Sequence, residues 1–178
     1  MRDDRSPVQA AGTDVTVFVA LGSNLGDSVA AVRAAMGRLE VLSASPLRRS
    51  CCWRSTPVDC PPGSPDFVNA VVALQPRPGE TPESLLGMLQ ELEVAFGRRP
   101  KQYPNEPRPL DLDLIAFGME RRSSPRLTIP HPRAHLRRFV LAPLAEIAPD
   151  LVLPGQSLTV SELLGSLEPT ETVERMEG

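Results

Sequence analysis

Two hydrophobic periods alternate along the chain and mark out its elements. Val15-Thr16-Val17-Phe18-Val19-Ala20 is a β-branched, largely apolar run that reads as a buried strand. Gly22-Ser23-Asn24-Leu25-Gly26-Asp27 follows as a turn ending in a good helix N-cap. Val29, Val32, Met36 and Leu39 then recur at three- and four-residue spacing, which predicts an amphipathic helix. Arg48 to Arg54 reads as a second strand, and a Pro/Gly-rich loop over 57–65 leads into a third, Asp66 to Leu74. Thr81-Pro82 is a cap followed by proline at the first helical position. Leu85, Met88, Leu89, Leu92 and Phe96 form the apolar stripe of that helix, and Gly97 ends it. After a long polar loop, Leu110-Asp111-Leu112-Asp113-Leu114 alternates with period two, a strand with one apolar face.

The order β-α-β-β-α-β is the ferredoxin-like arrangement, an α+β fold with an antiparallel sheet and helices on one face. Residues 120–165 are expected to wrap one side as a C-terminal extension, with a helix near Val140 to Ile147. Residues 1–13 read as a flexible leader, 14–168 as a single domain with no segment left over for a second, and 169–178 as a frayed acidic tail.

Composition narrows the class. At 178 residues, with 41% apolar residues and a net charge of −3, the chain suits one globular domain with a buried core. Twenty prolines, many in connecting stretches, predict long stiffened loops. No apolar run approaches the ~20 residues of a membrane span, and Met1 to Asp14 carries no hydrophobic signal core. Cys51, Cys52 and Cys60, odd in number and two of them adjacent, make a poor disulfide framework and no zinc pair. A cytoplasmic protein with free thiols is expected. Charge is uneven: Arg98, Arg99, Lys101 and Arg108 face Glu106 alone, and 121–138 holds six arginines and two histidines without an acid. Basic clusters on an acidic protein suit a compact polyanion such as a nucleotide triphosphate better than a nucleic acid.

Asp111 and Asp113 are the sharpest chemical signal. On a strand, residues two apart project from one face with Cα atoms about 6–7 Å apart. Such a pair can share two Mg²⁺ ions, which sit roughly 3.5–4 Å apart in two-metal sites. Hard oxygen ligands and few protein groups suit magnesium bound together with phosphates. Upstream lie Arg98, Arg99, Lys101 and Arg108; downstream comes Arg126-Leu127-Thr128-Ile129-Pro130-His131. Carboxylates flanked by arginines and a histidine suit phosphoryl transfer, where catalysis is positioning and charge neutralisation. Phe67 and Asn69 stand two apart on one strand and could hold a flat heterocycle by stacking and an edge hydrogen bond, although for the pair alone a core Phe beside a structural Asn is the favoured reading. The glycine-rich turn at 22–26 lacks the Gly-Lys-Ser/Thr ending of a P-loop and reads as a tight turn. Trp53 reads as packing or a loop anchor, and His135 as a helix-surface residue.

Beyond these patterns, the chain resembles the 6-hydroxymethyl-7,8-dihydropterin pyrophosphokinases from Val15 to about Leu167. The matching stretches are Ala20 to Asp27, Ser55-Thr56-Pro57-Val58, Pro65 to Ala70, Pro107-Arg108-Pro109-Leu110-Asp111-Leu112-Asp113-Leu114, Arg126 to Pro132 and Phe139 to Pro149. The resemblance implies a Mg²⁺-dependent diphosphotransferase of folate biosynthesis that moves a diphosphate from ATP, the co-substrate, onto a pterin alcohol, with AMP leaving. Asp111 and Asp113 would hold two Mg²⁺, with Arg98 and Arg108 joining them in catalysis. Gln90, Glu93, Arg98, Arg108, Leu114, Arg126, Thr128, His131 and Arg137 would line the nucleotide. Phe67 and Phe139 would sandwich the pterin, with Asn69 and main-chain groups of Thr56, Pro57 and Val58 at its edge. The implied partners are these small molecules, with no nucleic acid, membrane or obligate protein partner. The chain departs from the family pattern at Asn105-Glu106, where Trp-Gly is usual, and at Arg54, where a Tyr is common. Two other readings share these residues. One is a ferredoxin-like nucleotide- or RNA-binding module without catalysis, which predicts stacking aromatics on an open sheet. The other is a metal-dependent nuclease or phosphatase.

Overall fold

The computed structural model describes residues 15–100 and 102–177. The leader expected over 1–13, and Lys101 of the basic loop, lie outside the described residues. In chain order the elements are β1 (Val17–Ser23), α1 (Ser28–Glu40), β2 (Arg48–Arg49), β3 (Trp53–Ser55), β4 (Phe67–Leu74), α2 (Pro82–Ala95) and β5 (Asp111–Phe117). A small hairpin, β6 (Arg122–Ser123) and β7 (Thr128–Ile129), precedes α3 (Arg138–Ile147), α4 (Val160–Ser166) and β8 (Val173–Arg175). The sheet runs β5-β1-β4-β3-β8, with β2 also on β4 and every pairing antiparallel.

The helix ends are where the local signals place them. The Asp27 carboxylate accepts from the Ala30 N–H at 3.0 Å, and Thr81 and Ser84 cap each other's backbone. Gly97 ends α2 at φ +92°, a conformation open to glycine without strain. A cap contributes about 1 kcal/mol, whereas burying a single Leu or Val contributes about 1.5–3 kcal/mol. The caps therefore set the boundaries, and the core holds the helices in place.

That core is two-sided, which corrects the expectation of helices on one face. Val17, Val19, Leu21, Val72 and Leu114 point to the face covered by α1 and α2. Phe18, Val71, Ala73 and Ile115 point to the other face, against Val140, Leu141 and Leu144 of α3 and Val160 and Leu163 of α4. The crossover helices fill one side, and the C-terminal extension covers the other.

Two further expectations change. The strand expected over Arg48 to Arg54 is broken into β2 and β3. Arg49 stands opposite Val72 and Trp53 opposite Asn69, so three residues oppose two, which is a bulge. Ser50 makes the break tolerable: its N–H donates to the Val71 carbonyl and its hydroxyl accepts from the Val71 N–H, both at 2.9 Å. The tail expected to fray forms β8 on the edge of the sheet, with Trp53 opposite Arg175 and Ser55 opposite Val173. Its acidic composition hides an alternating Val173, Arg175 row that β3 can pair.

Because Ser50 is buried, Ser50→Ala strands the Val71 N–H. It should lower unfolding free energy by about 1–3 kcal/mol, read as a lower denaturation midpoint at unchanged slope.

Candidate active site

On β5, alternation sends Leu112 and Leu114 into the helix-side core and Asp111 and Asp113 to the opposite face. In register, Asp111 stands beside Gly22 and Gly22 beside Asn69; Asp113 stands beside Ala20, which faces Val71. The α3 side chains cover the Val71 end of this face, but the Gly22–Asn69 end opens into a pocket. Its walls include Thr56, Val58, Phe67, Asn69, Arg108, Asp111, Asp113, Arg137 and Phe139, so the two carboxylates and both aromatics share one cavity. A side chain grown on Gly22 would point at Asn69 and Phe67, 3.6 and 3.8 Å from its Cβ. Glycine there leaves room for a ligand.

Arginines surround the carboxylates. Arg98 Nη1 donates to Asp111 Oδ1 at 2.6 Å and also binds Glu93. Arg108 Nε lies 3.0 Å from Asp111 Oδ2 but out of hydrogen-bonding alignment, and Arg137 Nη1 lies 4.0 Å from Asp113 Oδ2. Burial and the Asp111 charge push the Asp113 carboxyl above its ordinary range, opposed by His131, Arg137 and Arg108. Burial lowers the His131 imidazole, with Asp113 pulling the other way. The guanidinium groups of Arg108 and Arg137 sit 5.6 and 5.4 Å from the ring centres of Phe67 and Phe139, within cation–π range.

The Asn69 amide nitrogen is committed, donating to Ser55 Oγ at 2.8 Å and to the Trp53 carbonyl at 3.4 Å. Its carbonyl is left as an acceptor toward the pocket. The glycine-rich turn has a structural task that its sequence does not announce. Asn24 Oδ1 accepts from the Arg108 N–H at 2.9 Å, the Asn24 N–H donates to the Arg108 carbonyl at 3.1 Å, and its amide reaches the Pro65 carbonyl at 3.3 Å. It thereby fixes the root of a site arginine.

Other expected residues lie apart from the cavity. Leu114 is buried in the helix-side core, so its side chain cannot line a ligand. Glu93 is also buried: it accepts from the Leu112 N–H at 2.7 Å and binds Arg98, bracing β5. Burial pushes its carboxyl up to about 7, against that N–H and Arg98. Gln90 is exposed on α2, and Arg126 and Thr128 are exposed on the β6–β7 hairpin, so these three do not line the pocket. Arg98 lines instead an adjoining hollow with Arg99 and Tyr103. Residues that pattern reasoning missed include Arg133, Ser55, Asp59 and Cys60 on the wall. Arg133 was visible only as one of a run of arginines.

At the two departures, Asn105 Nδ2 donates to the Asp59 carbonyl at 2.7 Å, joining the two long loops. Beside the departure at Arg54, the Trp53 indole donates to Glu146 of α3 at 2.9 Å. Among the described residues no three His, Cys, Asp or Glu side chains gather as a metal cluster. Two carboxylates on one face still fit Mg²⁺, a hard ion that retains waters and takes substrate phosphates as further ligands.

Removing the Asn24 side chain leaves the Arg108 N–H without its acceptor in a buried setting. Asn24→Ala should cost about 1–3 kcal/mol, measured by urea denaturation.

The family model described as 7,8-dihydro-6-hydroxymethylpterin-pyrophosphokinase (HPPK) matches residues 18–149. A 2-amino-4-hydroxy-6-hydroxymethyldihydropteridine pyrophosphokinase of Pseudomonas aeruginosa is 42% identical over 164 residues, covering 91% of this chain and 97% of that protein. Its counterpart in Haemophilus influenzae is 40% identical over 151 residues, covering 84% and 91%. A crystal structure of Plasmodium falciparum HPPK-DHPS superposes with a TM-score of 0.67 at 13% identity, covering 85% of this chain. The chain spans 45% of that longer protein, and the likeness shows the fold alone. With a motif-bearing core matched from β1 to the end of α3, the chain belongs to the 7,8-dihydro-6-hydroxymethylpterin-pyrophosphokinase family.

Proposed function

We propose that the chain transfers a diphosphate from ATP to the hydroxymethyl group of 6-hydroxymethyl-7,8-dihydropterin, releasing AMP and the pterin diphosphate. The observation that carries this reading is the single cavity in which Asp111 and Asp113 face Phe67, Asn69 and Phe139. A carboxylate pair for a triphosphate and an aromatic slot for a flat ring stand within one wall-to-wall span.

Phe67 and Phe139 stack the pterin, and the Asn69 carbonyl accepts from its edge. Asp111 and Asp113 would hold Mg²⁺, which supplies charge neutralisation on the phosphates when bound. Arg108 and Arg137 are each placed against one aromatic and one carboxylate, so they can grip phosphate oxygens where the ring meets the triphosphate. Arg98 holds Asp111 in place through its hydrogen bond to Oδ1. In the reaction the pterin hydroxymethyl oxygen attacks the β-phosphorus and AMP leaves. The core is read as ferredoxin-like, supported by the neighbour order β5-β1-β4-β3, with β8 as an added edge. An RNA-binding sheet is disfavoured because α3 and α4 cover the face such a module would leave open.

Incubation with ATP, Mg²⁺ and the pterin alcohol should yield AMP, followed by chromatography. Asp111→Ala and Asp113→Ala should each lower the rate by roughly a hundred- to a thousand-fold, the scale of losing a preorganised electrostatic group. Arg137→Ala, one cation of several, should lower it roughly ten-fold. Inorganic phosphate in place of AMP would sink the reading in favour of a phosphatase.

A further inference from the structure

The break in the second strand frees a donor that the sheet does not use. Between β2 and β3 the pairing skips Cys51, whose N–H donates instead to Glu146 Oε2 of α3 at 3.1 Å. The same oxygen accepts from the Trp53 indole at 2.9 Å, and Arg175 of β8 donates to Oε1 at 3.3 Å. One carboxylate thus gathers the strand break, β3 and β8 onto a single helix. The Arg175 side chain is 57% exposed and that of Glu146 25%, so their ion pair is screened and contributes little. The Cys51 and Trp53 donors carry the hold. Burial raises the Glu146 carboxyl, but the Trp53, Cys51 and Arg175 donors outweigh it and leave it below its ordinary range.

Both ends of this clamp lead into the pocket. Glu146 follows Phe139 by seven residues on α3, so the two lie on one side of the helix about 10 Å apart along its axis. Phe139 is pocket wall. On the sheet, Trp53 stands opposite Asn69, and its carbonyl accepts from the Asn69 amide at 3.4 Å, beside Ser55 Oγ at 2.8 Å. Ser55 and Asn69 line the same cavity. The residue that orients Asn69 is therefore the one that Glu146 holds.

We propose that Glu146 is a positioning residue for the pterin slot: by holding Trp53 and Cys51 to α3, it fixes the spacing between Phe139 on the helix and Asn69 on the sheet. The inference rests on the functional reading above and adds to it the device that sets one dimension of the slot. That dimension matters because a gap of about 0.5–1 Å forfeits a quarter to a half of each dispersion contact.

The test is the affinity of the full chain for the pterin alcohol and for ATP, by calorimetry with Mg²⁺. The variants are Glu146→Gln, Glu146→Ala, Trp53→Phe, and Glu146→Ala combined with Trp53→Phe. Gln keeps the reach and an acceptor oxygen for the indole; Phe keeps ring packing without the N–H. Pterin affinity should stay within about two-fold for Gln and fall about five-fold or more for Ala, the scale of a lost hydrogen bond. Trp53→Phe should lower it about two- to five-fold, and the double variant should match Glu146→Ala alone, because the two side chains act as one unit. ATP affinity, shared with Arg98 and Arg108 outside α3, should change less than about two-fold throughout. If Glu146→Ala does not fold, the contrast between Glu146→Gln and Trp53→Phe carries the same comparison. Parent-like pterin binding in Glu146→Ala, equal losses of ATP and pterin, or losses that multiply in the double variant overturn the positioning role while leaving the functional reading intact. A parent chain that binds neither ligand overturns both.

Discussion

The site depends on one mismatch: the second face of the sheet is wider than the helix that covers it. α3 seals the rows around Phe18, Val71 and Ile115, and its cover ends before the row of Gly22, Asn69 and Asp111. Asp111 in that last row stays only partly buried, and the adjoining loops roof the row into a cavity. Had the extension been one turn longer, Asp111 and Asp113 would lie under apolar cover, where ionised carboxylates are untenable without partners. The period of two on β5 does the rest, giving Leu112 and Leu114 to the core and the acids to the opening.

The acids face a graded set of cations. Asp111 has close arginines on both oxygens, whereas Asp113 has Arg137 at 4.0 Å. Asp111 is thus the more closely paired member of the two. Glu93 extends the arrangement inward by tying Arg98 to the β5 backbone at Leu112. A buried carboxylate is costly alone, but here it accepts from two donors and braces the strand that carries both aspartates.

Much of this was legible in the residues because the signals were local. The Leu-Asp alternation placed both acids on one face, and Thr81-Pro82, Asp27 and Gly97 marked helix ends that the structure keeps. What was illegible depends on tertiary partners. Nothing in Arg48 to Arg54 announces that Ser50 will replace a backbone acceptor and split the strand. The acidic C-terminus reads as solvated until β3 is seen as an available edge. Leu114 sits within the most specific motif, yet alternation turns its side chain away from the cavity. Glu93, Arg126 and Thr128 show the same limit, since resemblance places them near the nucleotide while the described structure keeps them off the pocket wall. Asn24, by contrast, lay in plain view in a turn that looked merely permissive.

The double hydrogen bond between Asn24 and the Arg108 backbone has a mechanical corollary. At the far end of the same loop, the Arg98 N–H donates to the Glu93 carbonyl at 3.0 Å. The span between is therefore pegged like a strap at two buckles. The register of Arg98 and Arg108 over Asp111 is thereby set by backbone hydrogen bonds at the two ends of the loop rather than by what lies between them.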